Sequence, residues 1–125
     1  MPVRSLNSSV VTWPDAATVA RALRQWAEET ARSRPELRRV GYFGSFARGN
    51  WGVGSDIDTV IVVSGSATPF FRRAAEWDLT RLPVPADLLV FTEDEWGSMQ
   101  KAGRRLGREP IEWVFVSPPG MSGGG

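Results

Sequence analysis

The sequence has no cysteine and no histidine, and only one lysine and one tyrosine among its 125 residues. Without thiols or imidazoles it can form no disulfide, no zinc site of sulfur and nitrogen ligands, and no cysteine- or histidine-based catalytic pair. Any metal must be held by oxygen, which selects hard ions such as Mg²⁺ or Mn²⁺. An excess of one charge is missing too: 15 basic residues stand against 14 acidic ones, a net charge of +1. Composition therefore gives no strong signal for a nucleic-acid partner and none for a membrane surface. Fourteen of the 15 basic residues are Arg, Lys101 being the exception. A GC-rich genome or adaptation to heat would each produce that bias. No apolar run approaches the roughly 20 residues of a bilayer span. The opening MPVRSLNSSVV lacks the apolar stretch of a signal peptide, so the expected location is cytoplasmic.

What is present is enough apolar material for one core. The chain is 42% hydrophobic with six Trp, and its length suits a single domain. The expected organisation is a lead-in over 1–11, one domain over 12–116, and a Pro- and Gly-rich tail over 117–125. Ala16, Val19, Ala20, Leu23, Trp26 and Ala27 recur at helical spacing and predict a first helix that ends before Pro35. Strands are predicted over 37–43, 56–63, 86–91 and 111–116. Between them come a short turn of helix at 45–49, a long helix over 68–82 closed by Pro83 and Pro85, and a helix from Thr92 to about Leu106. Alternating helices and strands predict an α/β (α+β) layer fold.

The stretch GSFARGNWGVGSDIDTVIVV, beginning at Gly44, carries the chemistry. Asp56 and Asp58 are two residues apart at the mouth of an apolar strand, so both side chains point to one face. Adjacent carboxylates repel, and a divalent cation removes that conflict. Standing alone, the pair could equally cap a strand at the surface. Gly44 and Ser45 follow a strand and open a short helix, where backbone amides can receive a phosphate. An ordinary turn with Ser45 as helix cap is the plainer alternative. Together, a phosphate cradle beside a metal site is what a nucleoside triphosphate with Mg²⁺ requires.

This pattern resembles the signature of the minimal nucleotidyltransferases, within the DNA polymerase beta-like superfamily. In that family a Gly-Ser turn precedes Asp-x-Asp by ten residues, as Gly44 and Ser45 precede Asp56 and Asp58 here. Arg48, Gly49 and Ser55 also match the local pattern. Phe46 departs from it by standing where a basic residue is frequent, and Thr59 by replacing an aliphatic one. The resemblance implies a mixed sheet of about four strands with helices mainly on one face. It also implies a third catalytic carboxylate on a later strand, a place that Asp87 fills.

The implied activity is metal-dependent transfer of a nucleoside monophosphate, AMP from ATP above all, onto an acceptor hydroxyl. Asp56, Asp58 and Asp87 would be catalytic and would hold Mg²⁺ or Mn²⁺. Gly44, Ser45, Arg48 and Ser55 would bind ATP or another NTP. Arg48 could touch the triphosphate or brace the loop, and Trp51 could stack on a base or pack. Arg38 and Arg39, Arg72 and Arg73, and Arg104 and Arg105 read as solvated faces or as an interface. Larger relatives carry an acceptor-binding domain for which nine residues after Val116 leave no room. The acceptor site is therefore expected to be shallow, completed by a second copy in a homo-oligomer, or supplied by a partner. Minimal members are often encoded beside a HEPN-type toxin, which they modify as antitoxins. The competing expectations are a small-molecule enzyme of the aminoglycoside-modifying kind and a non-catalytic nucleotide- or partner-binding module.

Overall fold

The computed structural model describes residues 14–52, 54–103 and 110–117. Its first helix, α1, spans Ala16–Ser33. Asp15 caps it, accepting the Thr18 N–H at 2.8 Å, which satisfies one amide that the helix itself cannot pair. Val19, Leu23, Trp26 and Ala27 form its buried stripe. Each of the larger ones contributes on the order of 1.5–3 kcal/mol by leaving water. Arg24 with Glu28 and Gln25 with Glu29 pair at i, i+4 on the exposed side, worth a few tenths of a kcal/mol each.

Four strands form one sheet: β1 (Leu37–Phe43), β2 (Ile57–Val63), β3 (Ala86–Thr92) and β4 (Glu112–Val116), in the order β3-β2-β1-β4. β1 runs antiparallel to β2 and β4, and β2 runs parallel to β3. The sheet is therefore mixed, as expected. β2 is central and buried on both faces, which explains its unbroken apolar run from Val60 to Val63. Its Ile57, Ile61 and Val63 join the main core with α1, while Val60 and Val62 face a second cluster with Phe91 and Trp96.

The short helix α2 (Ser45–Arg48) follows β1, α3 (Phe70–Arg73) follows β2, and α4 (Glu93–Lys101) follows β3. Helical packing is concentrated on the face of α1, and α4 reaches the opposite face through Trp96. Thr92 and Glu95 form the expected capping box, with the Thr92 side chain taking the Glu95 N–H and Glu95 returning to the Thr92 N–H.

The long helix expected over 68–82 does not form. α3 is one turn, followed by a 3₁₀ turn at Ala74–Glu76, and Trp77 is extended. Competing partners take the backbone. Asp78 accepts both the Thr80 N–H and the Thr80 hydroxyl, a local arrangement that favours turns over helix. The Asp78 carbonyl meanwhile receives the Trp26 indole N–H at 2.8 Å. Trp77 and Leu79 are buried in the main core, which an amphipathic helix over this stretch would not allow together. The helix expected to run to Leu106 is described to Lys101; Leu106, Thr12, which with Asp15 reads in the sequence as the start signal of the first helix, and the pair Arg104 and Arg105 lie outside the described residues.

Arg73 also departs from expectation. It is not a solvated residue but 6% exposed. It makes a two-armed bond to Glu95 at 2.6 and 3.1 Å and donates to the Thr68 and Val90 carbonyls. A buried guanidinium needs this many acceptors to offset its lost hydration. By meeting Val90 it also closes part of the edge that β3 would otherwise present.

Candidate active site

Asp58 is the second residue of β2 and alternates with buried Ile57, so it points to the face opposite α1. It is partly buried, whereas Asp56 lies one residue ahead of the strand and is exposed. On the neighbouring parallel strand Asp87 stands directly in register with Asp58. Parallel neighbours in register share a face and lie about 4.8 Å apart, so two carboxylates are set side by side. On the other side of Asp58 its antiparallel partner is Phe43, the last residue of β1. The ends of three strands thus converge where β1 turns into α2.

That turn depends on Gly44. Its φ is 75° and its ψ is −146°, a region that residues with a Cβ avoid. A Cβ built there would also collide with the Asp58 carboxylate oxygen Oδ2. Backbone and carboxylate are therefore in direct contact, and only glycine permits it. Ser45 opens α2 and is half-buried, and Arg48 closes it, exposed. The Ser55 hydroxyl accepts the Gly52 N–H at 2.8 Å while the Ser55 N–H returns to the Gly52 carbonyl at 2.9 Å. Ser55 thus ties the connection between α2 and β2.

Phe46 is part of the main core at 3% exposure, which accounts for an aromatic residue where a basic one is frequent. Trp51 lies parallel to it, with ring centroids 5.5 Å apart and an interplanar angle of 2°. Thr59 is fully buried and turns its hydroxyl back to the Ile57 carbonyl at 3.4 Å. That local bond lets a polar residue replace an aliphatic one.

A groove of about 790 Å³ lies between the segment 74–85 and the first residues of β3. Trp77, Leu79, Leu82 and Val84 line it, together with the carboxylates Asp78 and Asp87. The Asp78 carboxyl is held below the usual carboxylate range by its bonds from the Thr80 hydroxyl and N–H.

The oxygen donors of Asp56, Asp58 and Asp87 suit a hard divalent cation in kind. Among the described residues, no three acidic side chains stand close enough to make a ready-made metal cage. Mg²⁺ usually keeps one or two protein carboxylates and takes its other ligands from phosphate and water. The in-register position of Asp87 and the Phe46–Trp51 pair were not legible in the sequence. The first is a non-local pairing, and the second is a contact that no periodicity announces.

A profile of the family described as "Nucleotidyltransferase domain" matches residues 23–108 of the 125. Among solved structures, the chain is similar to a candidate nucleotidyltransferase from Sulfolobus solfataricus. The two share 25% identity and a TM-score of 0.55 over 88% of this chain and 87% of the other. No curated protein sequence matches it significantly. Described residues include no helix long and apolar enough to cross a membrane. The profile spans both strands that bear the in-register carboxylates as well as the Gly44 turn, and the chain belongs to the nucleotidyltransferase domain family.

Proposed function

We propose that the protein transfers a nucleoside monophosphate, AMP from ATP in the first instance, to a hydroxyl on a HEPN-type partner protein. The observation that carries the transfer chemistry is the register of Asp58 with Asp87 beside the Gly44 turn. Asp56 and Asp58 would hold Mg²⁺ or Mn²⁺, and Asp87 would complete a second such position. The ions would neutralise charge on the triphosphate and on the attacking oxygen. Ser45 and the first amides of α2 would hold the terminal phosphates, with Arg48 beside them. Asp87 would orient the acceptor hydroxyl and draw its proton. As the acceptor oxygen bonds to the α-phosphorus, the bond from that phosphorus to the β-phosphate bridging oxygen breaks and pyrophosphate departs. Positioning and charge neutralisation supply most of the rate in such a scheme.

The choice of acceptor class rests on the groove that Asp87 helps to line. A polycationic antibiotic calls for a wall rich in carboxylates, whereas only Asp78 and Asp87 of the twelve residues that line this one are acidic. That favours a protein segment, and the resemblance of the motif to minimal nucleotidyltransferases favours a HEPN-type one. The experiment is label transfer from α-labelled ATP with Mg²⁺ to the product of the adjacent gene, comparing wild type with Asp58→Asn. Label on the partner from wild type alone supports the reading. Label on an added aminoglycoside instead would replace the partner with a small molecule. Binding of Mg·ATP without transfer to any acceptor would leave a binding module.

A further inference from the structure

Asp56 stands one residue ahead of β2, where its peptide link to Ile57 is held by the Ile57 N–H on the Pro85 carbonyl at 2.9 Å. On its other side it follows the connection from α2, residues 49–55, in which three of the seven residues are glycine. A Cβ built at Gly49, Gly52 or Gly54 would meet no described atom within 4 Å. Such a segment would ordinarily sample many conformations. Two hydrogen-bonded turns shape it. The Asn50 N–H reaches back to the Ser45 carbonyl at 3.1 Å, and Gly52 and Ser55 pair with each other. Both are local, and among the described residues neither ties the connection to the main core. Trp51 does, because its half-buried ring packs against the main core and stacks flat on buried Phe46.

We propose that Trp51 is a positioning residue: stacked on Phe46, it fixes the connection ahead of β2 and so sets where the Asp56 carboxylate stands relative to Asp58. A parallel aromatic contact suits this task, since it has a large area and few rotatable bonds. It also couples the two positions in sequence, so that an aromatic residue at 46 is the counterpart of one at 51. The link to nucleotide rests on the nucleotidyl-transfer reading, while the clamp itself does not.

The test compares wild type, Trp51→Ala and Trp51→Phe by amide hydrogen exchange, thermal melting and Mg·ATP calorimetry. In Trp51→Ala the amides of 49–52 and 54–56 should exchange roughly tenfold faster, with those of α1 and of the centre of β2 unchanged. Mg·ATP affinity should fall roughly three- to tenfold, and Trp51→Phe should recover both properties. Exchange that stays as in wild type, or that rises uniformly over the whole chain, overturns the clamp. A selective rise in exchange with unaltered Mg·ATP affinity overturns the positioning of Asp56. If wild type binds no nucleoside triphosphate, the nucleotidyl-transfer reading fails, and the exchange comparison still decides the clamp.

Discussion

Replacing Gly44 with alanine separates the cost of a backbone conformation from the cost of crowding a carboxylate. With φ at 75° and ψ at −146°, an alanine there is strained by about 1–3 kcal/mol. The methyl group also meets the Asp58 carboxylate, and relieving that overlap adds about 1 kcal/mol or more. A total of about 2–4 kcal/mol should lower the melting temperature by roughly 8–16 °C in a domain of this size. Gly103 is the control, because its φ is also positive, at 68°, and a Cβ there would meet no described atom within 4 Å. Gly103→Ala should cost about 1 kcal/mol, or roughly 4 °C, from the backbone alone. The two variants should differ more sharply in ligand binding. Gly44→Ala displaces Asp58 and should weaken Mg·ATP binding by an order of magnitude or more, whereas Gly103→Ala should bind as wild type does. Thermal melting and titration calorimetry on the three proteins give both quantities. Equal melting temperatures for the two variants would refute the contact between Gly44 and Asp58, and unchanged Mg·ATP affinity in Gly44→Ala would refute its bearing on the site.

Three other substitutions test separate parts of the reasoning. Asp58→Asn removes a charge from the paired carboxylates, and calorimetry should find Mg·ATP binding lost or greatly weakened. Asp87→Asn should bind Mg·ATP nearly as wild type does yet transfer label orders of magnitude more slowly, because its contact is made chiefly as the acceptor oxygen attacks; transfer at the wild-type rate would leave exposed Asp87 without a part in the reaction. Glu95→Gln keeps the capping box, since glutamine can return the same bond, but loses the charge opposite Arg73. The hydrogen bonds from Arg73, first among several causes, hold the Glu95 carboxyl below its usual 4.5. Its stabilising effect is therefore complete above the unfolded value and disappears as pH falls through the lower folded value. With the Glu95 side chain 42% exposed, the difference from wild type should be only about 1 kcal/mol at neutral pH. It should close as acid melts pass below the lowered folded value, and a gap that persists once the carboxyl is protonated in both states would mean that the charge of Glu95 is not its cause.

Elements whose signals are local were legible from the sequence. α1 shows its spacing, though its cap is Asp15 rather than a residue before Pro14, α4 its Thr92 and Glu95 box, and β2 a β-branched run that only a central strand accommodates. The segment from 74 to 85 failed because its partners are distant. Trp26 reaches across to the Asp78 carbonyl, and Arg34 lies over the Trp77 ring at 3.6 Å. Arg73 finds its carboxylate at Glu95, 22 positions along. No window of a dozen residues contains those contacts, so propensity suggested helix where tertiary structure imposes turns. Arg73 misled for the same reason, since an Arg pair in sequence carries no sign of which member is buried.

The candidate site divides along the same line. The Gly44 turn and the two aspartates at 56 and 58 are contiguous, so their spacing alone marks them. Asp87 is different: a strand slipped by one residue would place it on the opposite face of the sheet. What fixes its register lies just ahead of it. Pro85 has no N–H to offer, yet its carbonyl accepts the Ile57 N–H at 2.9 Å, and Ile57 then stands opposite Ala86. The next pair along is Asp58 with Asp87. A proline that in sequence reads as a strand boundary is in three dimensions the residue whose carbonyl anchors the register of the two carboxylates. Ile57, fully buried at the mouth of β2, is the residue that ties the pair to the core.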